Sequence, residues 1–290
     1  MSTVQREDVV DAVFGAVAET APEIRDGLRG RRETVGSENA SGEEQLAADL
    51  WADKVLAHSI TGIDGVGQFA SEEREAVEDC GSGLSVTLDP LDGSSNLETD
   101  NLMGTIVGVY DADLPARGRE LVAAAYVLYG PITTMIAATD GTVTEYEIVD
   151  GERRPIEADL ALPDDPVVYG FGGGVDEWTT AFSEYAEGIE EELKLRYGGA
   201  LVGDVNQVVG YGGVFSYPAL QSRPEGKLRL QFEGNPIGYI IESAGGRSSD
   251  GERSLLDIDP ERLHQRVPVH FGNEELIDRL EATLNRSELR

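Results

Sequence analysis

The sequence predicts a layered protein of mixed helices and strands, in the α/β or α+β class. Apolar residues recur at helical spacing in some segments, and strand-like runs with long antiparallel stretches fill others. Of the 290 residues, 40% are hydrophobic. That is enough apolar material for one large domain, or two smaller ones, around a substantial core.

The first part of the chain predicts two helices followed by a series of strands. Apolar residues from Val9 to Val17 recur at helical spacing, and a second such pattern runs from Leu46 to Leu56, with Ser41 as its predicted N-cap. The predicted strands are VGQFA (66–70), LSVTL (84–88), TIVGVY (105–110) and LVAAAYVLY (121–129). Residues 132–149 predict a hairpin that turns at Asp140-Gly141.

A charged, proline-bearing segment at 150–166 predicts a boundary between an N-terminal domain, 1–160, and a C-terminal domain, 161–290. No element is predicted for the glycine-rich stretch 197–213. The other elements predicted beyond the boundary are a strand at 167–171, a helix carrying Trp178, Phe182, Tyr185 and Ile189, a strand at 227–233, a short helix in NPIGYIIESAGG, a strand in VPVHFG and a closing helix in EELIDRLEATL.

The formal net charge of −32 excludes nucleic acid and anionic membrane as partners, because such a surface repels both. The acids run through every segment, which favours a solvation role over a single cation-binding surface. Only three of the 23 basic residues are lysine, namely Lys54, Lys194 and Lys227. This composition is typical of halophilic proteins, which work in very high salt, where the Debye length falls to ~3 Å.

The cysteine content and the apolar stretches bear on location. With one cysteine, Cys80, the chain can form no internal disulfide, which fits a reducing interior. The N-terminal residues lack the pattern of a signal peptide, and the most apolar stretch, 121–130, is too short for a membrane span. We expect a soluble, cytoplasmic protein.

The stretch Thr87–Asp100, TLDPLDGSSNLETD, predicts a metal site. Pro90 suits a tight turn that brings the Asp89 and Asp92 carboxylates to one side and leaves the Leu91 carbonyl without a strand partner. Such hard oxygen ligands suit Mg²⁺. A turn that starts a helix is the alternative interpretation, since Asp, Pro, Gly, Ser and Asn are all common there.

The residues after the acids suggest an anion cradle beside the metal. Gly93 allows close approach of the backbone, and the amides of Ser94, Ser95 and Asn96 can point inward. Upstream, Glu72 and Glu73 follow another strand-like run, and a bridging glutamate would allow two metals about 3.5–4 Å apart. Taken alone, these two glutamates are better explained as two more surface acids.

The chain resembles the class I fructose-1,6-bisphosphatases in four blocks, which occur in order: SEE (71–73), DPLDGSSN (89–96), YGGVFSYPALQSRPEGKLRLQFEGNPIGYIIESAGG (211–246) and HQRVPV (264–269). The acid turn alone is shared by a wider superfamily that includes inositol monophosphatases. Those carry a Trp-Asp pair in the late acidic motif. Here that motif reads Phe232-Glu233, as in the fructose bisphosphatases.

The resemblance implies a role for each matching residue. The implied metal ligands are Glu72, Asp89, the Leu91 carbonyl, Asp92 and Glu233, with Glu43 near a third metal. The implied catalytic residues, which orient and deprotonate the attacking water, are Glu73 and Asp49. The implied substrate contacts are Asp92, Gly93, Ser94, Ser95, Tyr197, Tyr217 and Lys227, with Arg196 reaching into the site of a neighbouring subunit.

The resemblance also implies the architecture and the reaction. The expected fold is a layered α-β-α-β-α sandwich of the sugar phosphatase type. The expected reaction is Mg²⁺-dependent hydrolysis of the 1-phosphate of fructose 1,6-bisphosphate, a step of gluconeogenesis. Two or three Mg²⁺ per site are expected, with Mn²⁺ as a substitute, in a homo-oligomer of two or four subunits.

Two departures from the family pattern bear on specificity and regulation. Gly172 and Val175 stand where family members usually carry an Asn and a Tyr that contact the sugar phosphate, so we expect relaxed specificity. Gly83-Leu84 replaces a Lys-Tyr pair that binds AMP in the eukaryotic enzymes, so we expect weak or absent AMP inhibition.

Single residues outside the motifs leave other interpretations open. Lys227 is one of few lysines and suits phosphate binding, but a chance lysine at a strand end explains it equally well. His58, His264 and His270 show no metal-binding spacing and are interpreted as structural. No nearby His–Asp pair supports a hydrolase triad at Ser94 or Ser95.

Three alternatives to a fructose bisphosphatase remain at this point. The same machinery would act on sedoheptulose 1,7-bisphosphate or an inositol monophosphate. A non-enzymatic acidic protein would bind cations at its surface. An inactive regulatory homologue is the third alternative, and the intact set of acids argues against it.

Overall fold

The computed structural model describes residues 3–38 and 44–288. The helices are α1 Thr3–Gly27, α2 Ala47–Thr61, α3 Thr180–Glu192, α4 Leu201–Tyr211, α5 Asn235–Ser243 and α6 Glu274–Glu288. The strands are β1 Thr34–Glu38, β2 Glu44–Leu46, β3 Val66–Ser71, β4 Glu78–Asp79, β5 Leu84–Asp92, β6 Met103–Tyr110, β7 Leu121–Tyr129, β8 Thr133–Thr139, β9 Thr142–Val149, β10 Glu152–Ala158, β11 Val168–Phe171, β12 Lys194–Leu195, β13 Gly213–Tyr217, β14 Leu228–Arg229, β15 Arg247–Ser249, β16 Arg266–Val267 and β17 Val269–Gly272.

The elements stack in five alternating layers. Helices α1 and α2 cover one face of an eight-stranded sheet with strand order β10-β9-β8-β7-β6-β5-β3-β4. Helices α4 and α5 lie between that sheet and a five-stranded sheet of order β12-β11-β13-β17-β15, whose outer face is covered by α3 and α6. The predicted α-β-α-β-α sandwich is therefore confirmed.

Strand β5 is the element that carries the acid turn into the interior. All nine of its residues are buried, because helix layers cover both faces of the sheet at this strand. It pairs in parallel with β3 and antiparallel with β6, and the register with β6 shifts between Asp89 and Asp92. The shift adds a kink at the end of the strand, where both carboxylates lie.

The central helix layer joins the two sheets through one apolar core. Ile237 and Ile240 of α5 are fully buried in a cluster that also contains Ile106 of the large sheet and Phe271 of the small sheet. The two halves of the chain therefore share a core at the predicted boundary, and neither half buries its inner face alone.

The predicted strand at 227–233 is wrong in its second part. Only Leu228–Arg229 is a strand, and Leu230–Gly234 forms a π-helical turn that leads into α5. The alternation of polar and apolar residues was misleading because every residue of this turn is buried, whatever its polarity. Such turns are frequent at functional sites.

The start of α2 also differs from the prediction, and α4 was not predicted. Helix α2 begins at Ala47, where the Asp49 carboxylate accepts a hydrogen bond from the Leu46 N–H, so Ser41 is not its N-cap. Ser41 lies outside the described residues. Helix α4 occupies the glycine-rich stretch, where its apolar residues pack between the sheets and override the low helix propensity of glycine.

Among residues 3–38 and 44–288, no helix combines the length and the apolar character that crossing a bilayer requires.

Because the core is shared, we expect a single cooperative unfolding transition. Ile240→Ala removes a fully buried side chain between the sheets and should lower the free energy of unfolding by about 2–5 kcal/mol. Ile132→Ala is the matched control, since Ile132 is 55% exposed, and should cost less than about 1 kcal/mol. Calorimetry that resolves two transitions, with only one shifted by Ile240→Ala, would contradict the shared core.

Candidate active site

A cavity of about 280 Å³ opens where the end of β5 meets the segments that follow residue 190. Most of its wall is polar, and the acids outnumber the cations that line it. The lining residues are Asp49, Glu72, Glu73, Asp89, Leu91, Asp92, Gly93, Ser94, Ser95, Tyr197, Gly199, Leu201, Asp204, Phe215, Tyr217, Lys227, Leu228, Arg229 and Glu233.

Three buried carboxylates converge on one wall of this cavity. One oxygen from each of Asp89, Asp92 and Glu233 lies within 4.8 Å of the others, and all three side chains are buried. Two of these acids come from the kinked end of β5, and the third comes from a turn more than a hundred residues later. The structure thus brings together the two acidic motifs that the sequence kept apart.

Local hydrogen bonds hold each of these carboxylates in place. Asp89 accepts from the Leu91 N–H at 3.0 Å, and Asp92 accepts from the Val202 N–H at 2.8 Å. Glu233 reaches back along its π-helical turn and accepts from the Arg229 N–H at 2.7 Å. The turn that the strand prediction missed is therefore the device that aims Glu233 at the acid pair.

Arg229 forms a buried ion pair with Glu72 beside the carboxylate cluster. The distance between Arg229 Nη1 and Glu72 Oε1 is 2.5 Å, and the Arg229 side chain is only 3% exposed. A buried arginine needs an anionic partner to offset its desolvation, and here several carboxylates lie near it. One guanidinium charge faces Glu72, Asp89 and Glu233, so the cluster retains an excess of negative charge when all its acids are ionised.

The electrostatics of the cluster favour protons or metal ions. Burial, followed by repulsion from Glu72 and neighbouring acids, raises the pKa of Asp89 and of Glu233 well above the usual range. Burial also raises the pKa of Asp92 to about 7, although the hydrogen bond from Val202 opposes the change. Carboxylates that repel each other in a buried site gain from a divalent cation between them.

The two predicted catalytic acids lie on the same cavity. Asp49, in the first turn of α2, is 4% exposed, and burial raises its pKa to about 6 against hydrogen bonds from Leu46 and Ser94. Glu73 is partly buried, and its N–H donates to Ser71 Oγ. Both side chains line the same cavity as the candidate metal ligands, although Asp49 and Glu73 belong to separate parts of the sequence.

The predicted phosphate cradle follows Asp92 directly. Gly93 has a φ of +74°, and a Cβ there would lie 2.3 Å from the Ala200 Cβ, so glycine is required both for the conformation and for the close contact. A short 3₁₀ helix runs over Ser94–Glu98, and its first two residues line the cavity.

The predicted sugar contacts cluster around two tyrosines. Tyr197, Tyr217 and Lys227 all line the cavity, and Lys227 Nζ lies 5.4 Å from the centre of the Tyr217 ring. The Tyr217 ring also occupies the space beside Gly172, where a Cβ would lie 2.3 Å from a ring carbon. A larger residue at position 172 would displace this ring, which gives a structural reason for the departure from the family pattern.

The two other predicted site residues are Arg196 and Glu43. Arg196 is exposed at the edge of the small sheet and does not line the cavity, so its role towards a neighbouring subunit stays a prediction. Glu43 lies outside the described residues.

Sequence reasoning missed Arg229 and Asp204, which also line the cavity. Asp204 is 4% exposed and lies in an otherwise apolar turn of α4. The signal was available, because a charged residue within LVGDVNQVV or KLRLQF is costly to bury without a partner. Two factors concealed this signal. The chain has many acids, and residues 227–233 were predicted as a strand where the structure has a π-helical turn.

Comparison with known proteins agrees with this geometry. The family model described as "Fructose-1-6-bisphosphatase, N-terminal domain" matches residues 26–152, and the model for the C-terminal domain of the same enzyme matches residues 162–285. The chain belongs to the class 1 fructose-1,6-bisphosphatase family.

Relatives in this family match over nearly the whole chain. The class 1 fructose-1,6-bisphosphatase of Natronomonas pharaonis is 59% identical over 96% of this chain and 99% of its own length. That of Haloarcula marismortui is 54% identical over 98% of both chains. The crystal structure of Leishmania major fructose-1,6-bisphosphatase in holo form superposes with a TM-score of 0.90 at 26% identity, covering 96% of this chain and 95% of the other.

The raised carboxylate pKa values of this fructose-1,6-bisphosphatase family member predict a pH-dependent response to Mg²⁺. In the metal-free protein, Asp49 and Asp92 bind protons more tightly when folded than when unfolded. Their contribution to the free energy of unfolding is therefore complete below about pH 4 and is lost as the pH rises through 6 to 7. A divalent cation held by these carboxylates would compete with the protons, so the increase in Tm on adding Mg²⁺ should be small at about pH 5 and larger at about pH 8.

This response is measured by differential scanning fluorimetry in molar KCl, which keeps the screening of surface charge constant. Asp100→Asn alters an exposed acid of the same segment and should leave the pH dependence intact. Equal Tm increases at both pH values would contradict the competition.

Proposed function

We propose that the chain hydrolyses the 1-phosphate of fructose 1,6-bisphosphate with water, giving fructose 6-phosphate and inorganic phosphate. The convergence of Asp89, Asp92 and Glu233 in a cavity that also presents Lys227 carries this proposal. Family membership supports the same substrate, and gluconeogenesis is the pathway implied.

The donor set fits magnesium. The candidate ligands are carboxylates and one backbone carbonyl, which are the oxygen donors that Mg²⁺ and Mn²⁺ prefer, and no histidine lines the described cavity. The ligands proposed are Glu72, Asp89, the Leu91 carbonyl, Asp92 and Glu233, with Glu43 as a candidate for a third metal. When bound, the metals supply charge neutralisation of the phosphoryl oxygens and acidify a water.

The residues of the chain supply position and proton transfer. Glu73 and Asp49 orient the attacking water and accept its proton, and the raised pKa of Asp49, about 6, suits a general base near neutral pH. The amides of Gly93, Ser94 and Ser95 hold the phosphoryl group. Phosphoryl transfer depends mostly on positioning and electrostatic stabilisation, so these groups suffice beside the metals.

Arg229 changes partner in this proposal. Its guanidinium lies on Glu72, one of the proposed ligands, and it is the cation closest to the carboxylate cluster. With Glu72 holding a metal, the Arg229 guanidinium would serve as a cation for the phosphoryl oxygens.

The rest of the substrate lies against Tyr197, Tyr217 and Lys227. Lys227 supplies a compact ammonium for the sugar or its second phosphate, and Arg196 of a neighbouring subunit supplies a further cation. Support for the oligomer, of two or four subunits, comes from the exposed position of Arg196 beside exposed Leu195 at the edge of the small sheet.

A broader sugar bisphosphatase is the second candidate function, favoured by one observation. Gly172, where family members usually carry Asn, is closed off by the Tyr217 ring, and Val175 offers no hydrogen-bond donor from its side chain. A site with fewer fixed donors discriminates less between distal phosphates of different position. Sedoheptulose 1,7-bisphosphate is therefore the competitor to compare first.

We propose that residues 1–160 supply the acid turn and residues 161–290 supply Glu233 and the sugar contacts. A cytoplasmic location is supported by the single cysteine.

The direct test of substrate is phosphate release from a panel in molar KCl, with and without Mg²⁺. The panel contains fructose 1,6-bisphosphate, sedoheptulose 1,7-bisphosphate, fructose 1-phosphate and an inositol monophosphate. We expect the highest kcat/KM with a ketose bisphosphate and no turnover without a divalent cation. Preference for the inositol phosphate, or turnover in the presence of excess chelator, would overturn the proposal.

Asp92→Asn should abolish most Mg²⁺-dependent turnover. The variant retains an oxygen that can accept from the Val202 N–H, but it removes a charge from the metal site. We expect kcat/KM to fall by about 100-fold or more, with Asp100→Asn as the control. Unchanged turnover in Asp92→Asn would contradict the role of Asp92, and unchanged metal affinity without turnover in either protein would instead favour a non-enzymatic acidic surface.

Lys227→Met should raise the KM for fructose 1,6-bisphosphate by about 10- to 100-fold, because a hydrogen bond to a charged group is lost. The effect on fructose 1-phosphate, which has no second phosphate, should be smaller. Lys54→Met, at an exposed position of α2, removes the same charge elsewhere and should change neither value. A loss that is equal for both substrates would place Lys227 outside the distal site.

A further inference from the structure

The loop Arg196–Ala200, called here the sugar loop, is held by side chains from two different parts of the chain. Asp204 accepts hydrogen bonds from the Gly198 N–H at 2.5 Å and from the Gly199 N–H at 3.1 Å. On the other side, the Gly198 carbonyl accepts from the side-chain amides of Asn96 at 2.9 Å and Asn101 at 3.0 Å.

The peptide unit between Gly198 and Gly199 is therefore bound at both ends. Its N–H donates to Asp204 of α4, and its C=O accepts from the side-chain amides of Asn96 and Asn101. Asn96 donates in addition to the Leu102 carbonyl at 2.8 Å, which fixes the orientation of its amide. The bonds to Asp204 and the bonds from Asn96 are partly buried, and the bond from Asn101 is exposed. The two bonds to the Asp204 carboxylate are of the stronger, charge-assisted kind.

The two glycines of the sugar loop have no side chains, which lets Asn96 and Asp204 approach the loop backbone closely. Gly199 has a φ of +82°, and a Cβ there would lie 3.3 Å from Asn96 Oδ1. A Cβ at Gly198 would lie 3.4 Å from Asp204 Oδ1. Two consecutive glycines thus expose the backbone to both partners.

The segments joined in this way carry different parts of the proposed site. Asn96 belongs to the 3₁₀ helix whose first residues form the phosphate cradle, Gly93–Ser95. Tyr197 directly precedes the clamped peptide, and Gly93 abuts Ala200 at the end of the sugar loop. The Asn96 and Asp204 hydrogen bonds and the Gly93–Ala200 contact therefore connect the phosphate cradle, the sugar loop and α4.

We propose that Asp204 and Asn96 are positioning residues that couple the phosphate cradle to the sugar loop through the Gly198–Gly199 peptide. Occupancy of the cradle then orders the sugar loop, and binding of the sugar's second phosphate by that loop orders the cradle. This coupling rests on the proposed function, in which the cradle holds the scissile phosphate and Tyr197 contacts the remainder of the substrate.

The coupling has a consequence for specificity. Binding energy from the second phosphate is used to orient the groups around the first, which raises kcat as well as affinity for a bisphosphate. A variant with a broken link should retain its metal ligands and lose more activity on a bisphosphate than on a monophosphate. It should lose the advantage that the second phosphate confers.

The first test requires no sugar substrate. Amide hydrogen exchange at Gly198 and Gly199 is measured with Mg²⁺ alone and with Mg²⁺ plus inorganic phosphate. In the wild type we expect phosphate to slow exchange at both glycines by about tenfold, and in Asn96→Ala we expect this effect to vanish. If phosphate leaves the wild-type exchange unchanged, or slows it equally in Asn96→Ala, the coupling is wrong.

The second test compares kcat/KM for fructose 1,6-bisphosphate and fructose 1-phosphate. In Asp204→Asn and Asn96→Ala we expect the ratio of the two values to fall by about tenfold, with part of the loss in kcat. Asn273→Ala is the matched control, because Asn273 links the Gly213 N–H to the Pro163 carbonyl away from the cavity. A merely structural role would lower Tm in all three variants and leave the ratio unchanged.

The two tests separate the coupling from the proposed function. If the wild type releases no phosphate from fructose 1,6-bisphosphate, the proposed function fails, while the exchange measurement still decides whether the link operates. If the wild type is active and both variants keep the wild-type ratio, the coupling is overturned and the proposed function stands.

Discussion

Mutual repulsion among buried carboxylates is the constraint on which the rest of this structure depends. Asp89, Asp92 and Glu233 lie within a few ångströms of one another in the interior, and burial raises the pKa of each. A fold stabilised by apolar packing alone would not keep such a cluster, since unpaired buried charges cost several kcal/mol each. The cluster is tolerated because protons, Arg229 or divalent cations can neutralise it.

The layers of the fold place these acids together by converging on one seam. Strand β5 ends there, and α4 begins there with the N–H of Val202 on Asp92. The π-helical turn before α5 directs Glu233 to the same point. Since α4 and α5 also form the apolar layer between the sheets, the same packing that closes the core fixes the distance between the two acidic motifs. Stability and site geometry are thus set by one set of contacts.

The sequence predicted the layered fold and the acid turn, because both depend on local patterns: apolar spacing, and acids around a proline turn. It also predicted Glu233, but only through the resemblance of whole motif blocks to a family. The roles of Arg229, Asp204 and the turn at Leu230–Gly234 were not predicted. Arg229 pairs with Glu72, 157 residues away, and the importance of Asp204 and of the turn becomes visible only from their burial. In a chain with 55 acids, one more aspartate carries little information until its burial is known.

We expect side chains from both halves of the chain to gather divalent cations around one phosphoryl group. Anomalous diffraction from crystals soaked in Mn²⁺ and inorganic phosphate is the most direct test. The expected result is anomalous peaks within bonding distance of Asp89, Asp92 and Glu233, with Glu72 turned from Arg229 towards a metal. Peaks only at exposed acids, with the Arg229–Glu72 ion pair unchanged, would contradict it.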